Sequence, residues 1–214
     1  LYIHIPWCVQ KCPYCDFNSH KISSGSRPDL EYADALVKDL EFELPGIAER
    51  QIESIFIGGG TPSLFSVDAI EKLLSRIRAL LELSPTIEIT LEVNPGSADA
   101  ERFQGYRDSG INRLSIGVQS FDDDKLEKLG RIHNANEATR AIQIANEAGF
   151  ENINLDLMFG LPNQTINEAL EDIRLASMQP VSHISWYQLT LEPNTVFHKY
   201  PPELPKDDDI WDIQ

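Results

Sequence analysis

The stretch LYIHIPWCVQKCPYC, residues 1–15, joins a short apolar strand to a loop that holds all the cysteines of the chain. Pro6 ends the strand, and Cys8, Cys12 and Cys15 follow in the spacing C-x3-C-x2-C. Because three is an odd number, a framework that pairs every cysteine is excluded, and the cysteine content suits a reducing compartment. Three thiols this close together can hold a metal, so the stretch predicts a strand that ends in a metal-binding loop.

Beyond this loop the chain alternates strands with amphipathic helices. Strands are predicted over residues 1–5, 52–57, 87–93, 113–118, 152–158 and 183–189, and helices over 30–44, after Ser66, around Phe103 and Tyr106, over 136–148 and after a Thr165–Glu168 capping box. Asp29 is the predicted N-cap of helix 30–44. Six β-α units with short connections predict an α/β fold with parallel strands and right-handed crossovers. A doubly wound sheet and an open (β/α)6 barrel both fit this pattern.

The chemically distinctive residues gather at the ends of the predicted strands. Glycines 58–60 follow the second strand and Glu92 ends the third. Gln119 follows the fourth strand, and Asp156 lies near the end of the fifth. Parallel α/β folds bind their ligands at the carboxyl ends of the strands. These residues and the cysteine loop therefore predict a single site at that end of the sheet.

The overall charge restricts the kinds of partner. The chain has 214 residues with 18 Lys and Arg against 34 Asp and Glu, a net charge of −16. So acidic a surface argues against binding to nucleic acid or to an anionic membrane. No apolar run approaches the ~20 residues of a membrane span, and nothing resembles a secretory signal. A cytoplasmic location is the default expectation for such a chain.

The two ends of the sequence look like cuts through a longer protein. The chain begins at Leu1 inside a strand-like run, and it stops at Gln214 in a run that resembles a helix start. We expect residues 1–190 to form the α/β core and residues 191–214 to begin a C-terminal region. A serine-rich loop is predicted over residues 18–29.

The cysteine loop is open to three interpretations, one of which is that its thiols bind no metal and belong to the core. A 4Fe–4S cluster ordinarily takes four cysteine ligands, so three would leave one iron with a position for substrate or cofactor. The alternative is a zinc site completed by His4 or His20, in a non-enzymatic interaction module. Zinc pairs normally use a C-x2-C spacing, which the x3 gap fits poorly.

Several single residues have both a functional and a structural interpretation. Gly58-Gly59-Gly60 would let a ligand approach the backbone, or would simply form a tight turn. Glu92 would bind ribose hydroxyls or be a solvated carboxylate. Arg131 and His133 would clamp a carboxylate, and for His133 the alternative is a solvated loop. Of Trp186 and Tyr187 in the last strand, one should face inward and one outward.

The motifs together resemble the radical S-adenosylmethionine superfamily. The cysteine motif carries Tyr14 before its last cysteine, as in that superfamily. The flanking blocks are similar to the group of oxygen-independent coproporphyrinogen III oxidases and haem chaperones. These blocks are YIHIPWC at 2–8, GGGTPS at 58–63, EVNP at 92–95, GVQSF at 117–121, LGRIH at 129–133 and DLMFGLP at 156–162.

The resemblance implies a partial (β/α)6 barrel with parallel strands and a 4Fe–4S cluster on Cys8, Cys12 and Cys15. S-adenosylmethionine would chelate the open iron. The residues that would line its site are Tyr2, Tyr14, Gly59, Gly60, Thr61, Glu92, Gln119, Arg131 and Asp156. An electron donor such as flavodoxin or ferredoxin is also implied, and a homodimer is compatible with the group.

One position separates the two functions of that group. The oxidases resemble Cys-x3-Cys-x2-Cys-x-Cys, whereas this chain has Phe17 where the fourth cysteine would stand. The form with Phe17 resembles the haem chaperones, which implies haem as cargo and haem-requiring acceptors such as respiratory enzymes. The alternative is radical oxidative decarboxylation of coproporphyrinogen III to protoporphyrinogen IX. The sequence assigns no haem ligand, and whether the site works as an enzyme stays open.

Overall fold

The computed structural model describes residues 1–22, 27–47 and 50–214. Residues 23–26 of the predicted loop at 18–29 lie outside the described residues. The strands are β1 Tyr2–Ile5, β2 Trp7–Cys8, β3 His20–Lys21, β4 Ile52–Gly59, β5 Leu83–Val93, β6 Arg113–Gln119, β7 Asn152–Phe159 and β8 His183–Gln188. The helices are α1 Asp29–Ile47, α2 Val67–Leu80, α3 Ala100–Asp108, α4 Asp123–Lys128, α5 Ala135–Glu147, α6 Ile166–Ser177, α7 Val196–Lys199 and α8 Asp207–Ile213.

The strand order decides between the two predicted architectures. The main sheet has six strands in the order β1-β4-β5-β6-β7-β8, and every neighbouring pair is parallel. A doubly wound sheet reverses its order at a switch point, whereas this order follows the chain throughout. Right-handed crossovers that all step in one direction place their helices on one face of the sheet. The fold is therefore the partial (β/α)6 barrel, as predicted.

The two faces of the sheet differ in polarity. Residues that face the helices are apolar and fully buried, as Leu91, Ile116 and Leu155 illustrate. The alternate residues face the barrel interior and include Glu92 and Asp156 on β5 and β7. Since successive side chains of a strand point to opposite faces, a polar interior face is built alongside an apolar core.

Most of the described helices begin at a residue whose side chain caps them, whereas α1 and α8 have no side-chain cap. Ser66 caps α2, and the predicted Thr165–Glu168 capping box is confirmed at α6. Asp29 is instead the first residue of α1. Its carboxylate accepts hydrogen bonds from the Ser66 backbone N–H at 3.0 Å and from Arg27 Nε at 3.2 Å. The predicted cap is wrong because the carboxylate joins α1 to the start of α2.

The rest of the architecture lies outside the sheet. The two-residue strands β2 and β3 pair in parallel beside the cysteine loop. Helix α8 packs Ile210 and Ile213 against Phe159 and Ala169. Among the described helices, none combines the length and the apolar character that crossing a membrane would require.

Candidate functional site

The carboxyl ends of the strands surround a cavity of about 400 Å³, within the size range of small-molecule sites. The predicted site residues that line it are Cys8, Cys12, Tyr14, Cys15, Gly59, Gly60, Thr61, Glu92, Gln119, Arg131 and Asp156. Tyr2 is the exception, because it lies at the amino end of β1 and is 56 % exposed. Its hydroxyl is 2.9 Å from Nδ1 of His4.

The cysteine loop is held in place by the glycine turn after β4. The N–H of Gly60 donates to the Ile5 carbonyl, and that of Thr61 donates to the Trp7 carbonyl, both at 2.7 Å. A Cβ on Gly60 would lie 2.7 Å from the Trp7 oxygen, closer than real Cβ contacts come. Gly60 is therefore needed where two backbone segments approach closely. Of the two interpretations of the glycines, this agrees with the structural one.

The three thiols face the cavity with different burial. Cys8 is buried, and Cys12 and Cys15 are half-buried. Burial raises the pKa of the Cys15 thiol, with Ser19 and Lys11 among the groups that oppose the rise. Arg131 Nη1 lies 3.6 Å from Cys12 Sγ and can stabilise negative charge on that sulfur. Three thiols on one loop, beside a guanidinium, fit the donor set of an iron–sulfur cluster.

The zinc interpretation finds no fourth ligand in His4. Its Nε2 donates to the Asn18 carbonyl at 2.8 Å, and its Nδ1 accepts from the Tyr2 hydroxyl, so both ring nitrogens are occupied. His20 is exposed on β3. Within residues 1–22, 27–47 and 50–214, no three His, Cys, Asp or Glu side chains stand together as ligands of a single metal ion.

Two carboxyl groups lie in the cavity on neighbouring parts of the sheet. Glu92 Oε2 accepts the N–H of Gly59 at 3.0 Å. Burial, together with the charge of Asp156, raises the pKa of Glu92 to about 7. Asp156 accepts from Ser115 and Asn154, both at 2.8 Å, and burial raises its pKa as well. Glu92 is thus a half-buried hydrogen-bond acceptor in the cavity lining, and its interpretation as a fully solvated carboxylate is wrong.

Gln119 reaches the cavity through an irregularity in β6. Gly117 is paired with Asp156 and Gln119 with Leu157, so Val118 is an extra residue in β6. Gln119 has a φ of 71°, in the left-handed region that side chains other than glycine seldom adopt. Such a bulge re-aims a side chain. Here the Gln119 Oε1 accepts a hydrogen bond from the Tyr187 hydroxyl at 2.7 Å.

Arg131 and His133 do not form the predicted pair. Arg131 lines the cavity, where its Nη2 donates to the Gly117 carbonyl at 2.9 Å. His133 is buried, with 4 % exposure, and its Nε2 is 3.0 Å from the Val118 carbonyl. Both predictions for His133, a carboxylate clamp and a solvated loop, are therefore wrong, because its ring is enclosed and bonded to backbone.

The last strand supplies a residue that the sequence did not single out for the site. Tyr187 lines the cavity, whereas Trp186 packs against Phe159 with ring centroids 4.8 Å apart. The predicted division into one inward and one outward residue is confirmed. Strand alternation places neighbouring residues on opposite faces of the sheet, but it does not indicate which of the two faces the cavity.

A sequence profile described as "Radical SAM superfamily" matches residues 2–176. The chain belongs to the radical SAM superfamily. Among the relatives of this radical SAM chain are two proteins named "heme chaperone HemW". The one from Haemophilus influenzae is 57% identical over 217 residues and the one from Escherichia coli is 54% identical over 213 residues. Each match covers 100% of this chain and 56% of the relative, so the chain spans about half the length of these relatives.

A solved structure has the same fold over the whole chain. The structure of coproporphyrinogen III oxidase (HemN) from Escherichia coli superimposes with a TM-score of 0.86 and is 27% identical. The match covers 99% of this chain and 49% of that chain. The radical SAM barrel that the resemblance implies is therefore confirmed.

Proposed function

We propose that this radical SAM chain is the cluster-binding core of a haem chaperone, which binds haem and transfers it to acceptor haemoproteins. The observation that carries the proposal is the identity of 57% and 54% to two proteins named heme chaperone HemW, over the entire chain. Phe17 supports it, because it stands where the related oxidases have a fourth cysteine. This side chain lines the cavity and is 55 % exposed.

In this proposal Cys8, Cys12 and Cys15 hold a 4Fe–4S cluster. S-adenosylmethionine occupies the cavity against Tyr14, Gly59, Gly60, Thr61, Glu92, Gln119, Arg131 and Asp156. When bound, the cluster and S-adenosylmethionine supply reductive cleavage of the sulfonium and a 5′-deoxyadenosyl radical.

The chain's own residues prepare the cavity for such a ligand. Arg131 stands next to Cys12 and offsets negative charge on the cysteine loop. Glu92 is fixed by the Gly59 N–H and offers its other carboxyl oxygen as an acceptor for hydroxyl groups. Half-burial of Cys12 and Cys15 limits the access of water to the thiols.

The partners follow from the relatives' name and from the resemblance. The acceptors are haem-requiring proteins such as respiratory enzymes, and the electron donor is a flavodoxin or ferredoxin. The location is the cytoplasm, and assembly into a homodimer is part of the proposal. The net charge of −16 speaks against nucleic acid as a partner.

A second candidate is oxygen-independent coproporphyrinogen III oxidase, favoured by the TM-score of 0.86 to the HemN structure. One experiment separates the two. The protein is reconstituted anaerobically with iron and sulfide, then divided between a haem titration and an assay with coproporphyrinogen III, S-adenosylmethionine and a low-potential reductant.

We expect haem to bind with a defined stoichiometry and to pass to an apo-acceptor, without formation of protoporphyrinogen IX. Formation of protoporphyrinogen IX would assign the chain to the oxidases. A Cys12→Ala variant is the control for the cluster, because it removes one of three ligands. It should lose the cluster absorbance near ~400 nm and the reductive cleavage of S-adenosylmethionine together. Zinc without iron in the reconstituted protein would overturn both candidates.

A further inference from the structure

A short segment outside the sheet holds the bulge that carries Gln119. Gly130–His133 follows α4 and places two side chains against consecutive carbonyls of β6. Arg131 Nη2 donates to the Gly117 oxygen at 2.9 Å, and His133 Nε2 lies 3.0 Å from the Val118 oxygen. A bulge with a residue at φ 71° costs conformational energy and persists only where its surroundings fix it.

The geometry fixes which nitrogen of His133 carries the proton. A carbonyl oxygen only accepts, so Nε2 must be the donor in the bond to Val118. Burial and the charge of Arg131 lower the pKa of His133 to about 4, which leaves the ring neutral near pH 7. Its Nδ1 is buried and has no partner in the described part of the chain. The one hydrogen bond of this ring is therefore the bond to the bulge.

The same segment also contacts the cysteine loop. Gln10 Nε2 donates to the Gly130 carbonyl at 3.1 Å, and Arg131 Nη1 lies 3.6 Å from Cys12 Sγ. The segment thus connects the loop that bears the thiols to the strand end that bears Gln119. His133 itself is not among the residues that line the cavity.

We propose that His133 is a positioning residue, which fixes the bulge through the Val118 carbonyl and so presents the Gln119 side chain to the ligand in the cavity. The inference rests on the S-adenosylmethionine site of the proposed function. It predicts that His133 affects the affinity for S-adenosylmethionine only by way of Gln119.

The test measures binding of radiolabelled S-adenosylmethionine by equilibrium dialysis under anaerobic conditions, after reconstitution of the cluster. His133→Leu should weaken binding about tenfold, because the donor to Val118 is lost and the bulge can relax. His133→Gln should restore most of the affinity, since an amide nitrogen can donate from nearly the position of Nε2. If the leucine variant fails to fold, His133→Asn replaces it, because its shorter amide falls short of Val118.

A double-mutant cycle with Gln119→Ala provides the decisive comparison. In the Gln119→Ala background, His133→Leu should change the affinity less than twofold, because the contact through which it acts is already gone. Additive losses would overturn the inference. Asn112→Ala is the control for general destabilisation, since Asn112 bonds the β5 backbone at the opposite end of the sheet.

The outcomes separate this inference from the proposed site. An Asn112→Ala variant that loses affinity as strongly as His133→Leu would overturn the positioning role, because the effect would then be one of stability. Absence of binding in the wild-type protein would overturn the S-adenosylmethionine site and this inference with it. Additive losses alone would leave the site intact and remove only the role of His133.

Discussion

Gly60 lies where the cysteine loop and the end of β4 come closest, and its missing side chain is needed there. We predict that Gly60→Ala destabilises the fold by about 1–3 kcal/mol, because the new Cβ would meet the Trp7 carbonyl. Gly46→Ala is the matched control, as nothing lies within 4 Å of its Cβ and its position in α1 favours alanine by up to ~1 kcal/mol. Urea unfolding of both variants is the measurement. Equal stabilities would contradict the close approach.

Glu92 predicts a pH dependence of stability. Its pKa is raised from 4.5 to about 7 in the folded chain, so the folded state binds the proton more tightly than the unfolded state. The free energy of unfolding should therefore fall as the pH rises from about 4.5 to about 7. Glu92→Gln keeps an acceptor for the Gly59 N–H but does not titrate. Its stability relative to wild type should rise over this window by up to about 3 kcal/mol.

Unfolding of the two cofactor-free proteins in denaturant, at several pH values across this window, measures that difference. A difference that does not change with pH would mean that Glu92 titrates normally in the folded chain.

At single residues the sequence was informative where chemistry needs a particular side chain. The three cysteines and Glu92 were predicted at the site and line the cavity, because the roles expected of them, metal ligation and hydrogen bonding, restrict the residue type. The bond from His133 to the β6 bulge could not be predicted, because no local sequence pattern indicates that bulge. Tyr2 is the first residue of β1 and therefore lies at the end of the strand away from the cavity, which the sequence motif alone does not reveal.

At the scale of elements, two capping boxes offer a matched pair. The N3 residue is Glu137 in α5 and Glu168 in α6, and both accept the N-cap N–H. Glu168 also lies 3.1 Å from Nζ of Lys125, whose side chain is 5% exposed. Glu137→Ala should cost about 1 kcal/mol, and Glu168→Ala about 2–4 kcal/mol, because it leaves a buried cation without its carboxylate.

Thermal or urea unfolding of the two variants compares the losses directly. Lys125→Met in the Glu168→Ala background is the control, since removal of the buried cation should recover part of the extra loss. Equal losses in the two single variants would show that the ion pair adds nothing to the box.

The predicted elements differ from the observed ones mainly at their ends. Strand β5 starts at Leu83, four residues before the predicted start, because tertiary pairing with β4 extends it. The strands β2 and β3 were not predicted, since two-residue pairings carry no periodicity. The Asn134–Glu137 box was also missed, although its residues have the same spacing as the box that was found.

At the scale of the whole molecule the dominant feature is the net charge of −16. Like charges on a compact surface repel each other, and salt screens them. We predict that the midpoint of thermal unfolding rises from low to physiological ionic strength in potassium chloride. A midpoint that falls would indicate that ion pairs such as Lys72–Asp34 outweigh the repulsion.

The overall architecture was only half determined by the strand pattern. Alternating strands and helices predicted a parallel sheet, but the order of the strands was left open between two folds. That order depends on the direction of each crossover, which is set by packing between elements distant in sequence. The resemblance in the motifs, and not the periodicity, selected the barrel.

The strand order has a consequence for synthesis of the chain. Each strand of the main sheet after β1 pairs with the sheet strand that was made just before it. A nascent chain emerging from the ribosome can therefore add its strands one at a time onto a finished edge. The cysteine loop and the glycine turn that anchors it have both been synthesised once the chain reaches Thr61, less than a third of the way along the 214 residues. The loop that bears the three thiols and its anchor can thus form while most of the sheet is still untranslated.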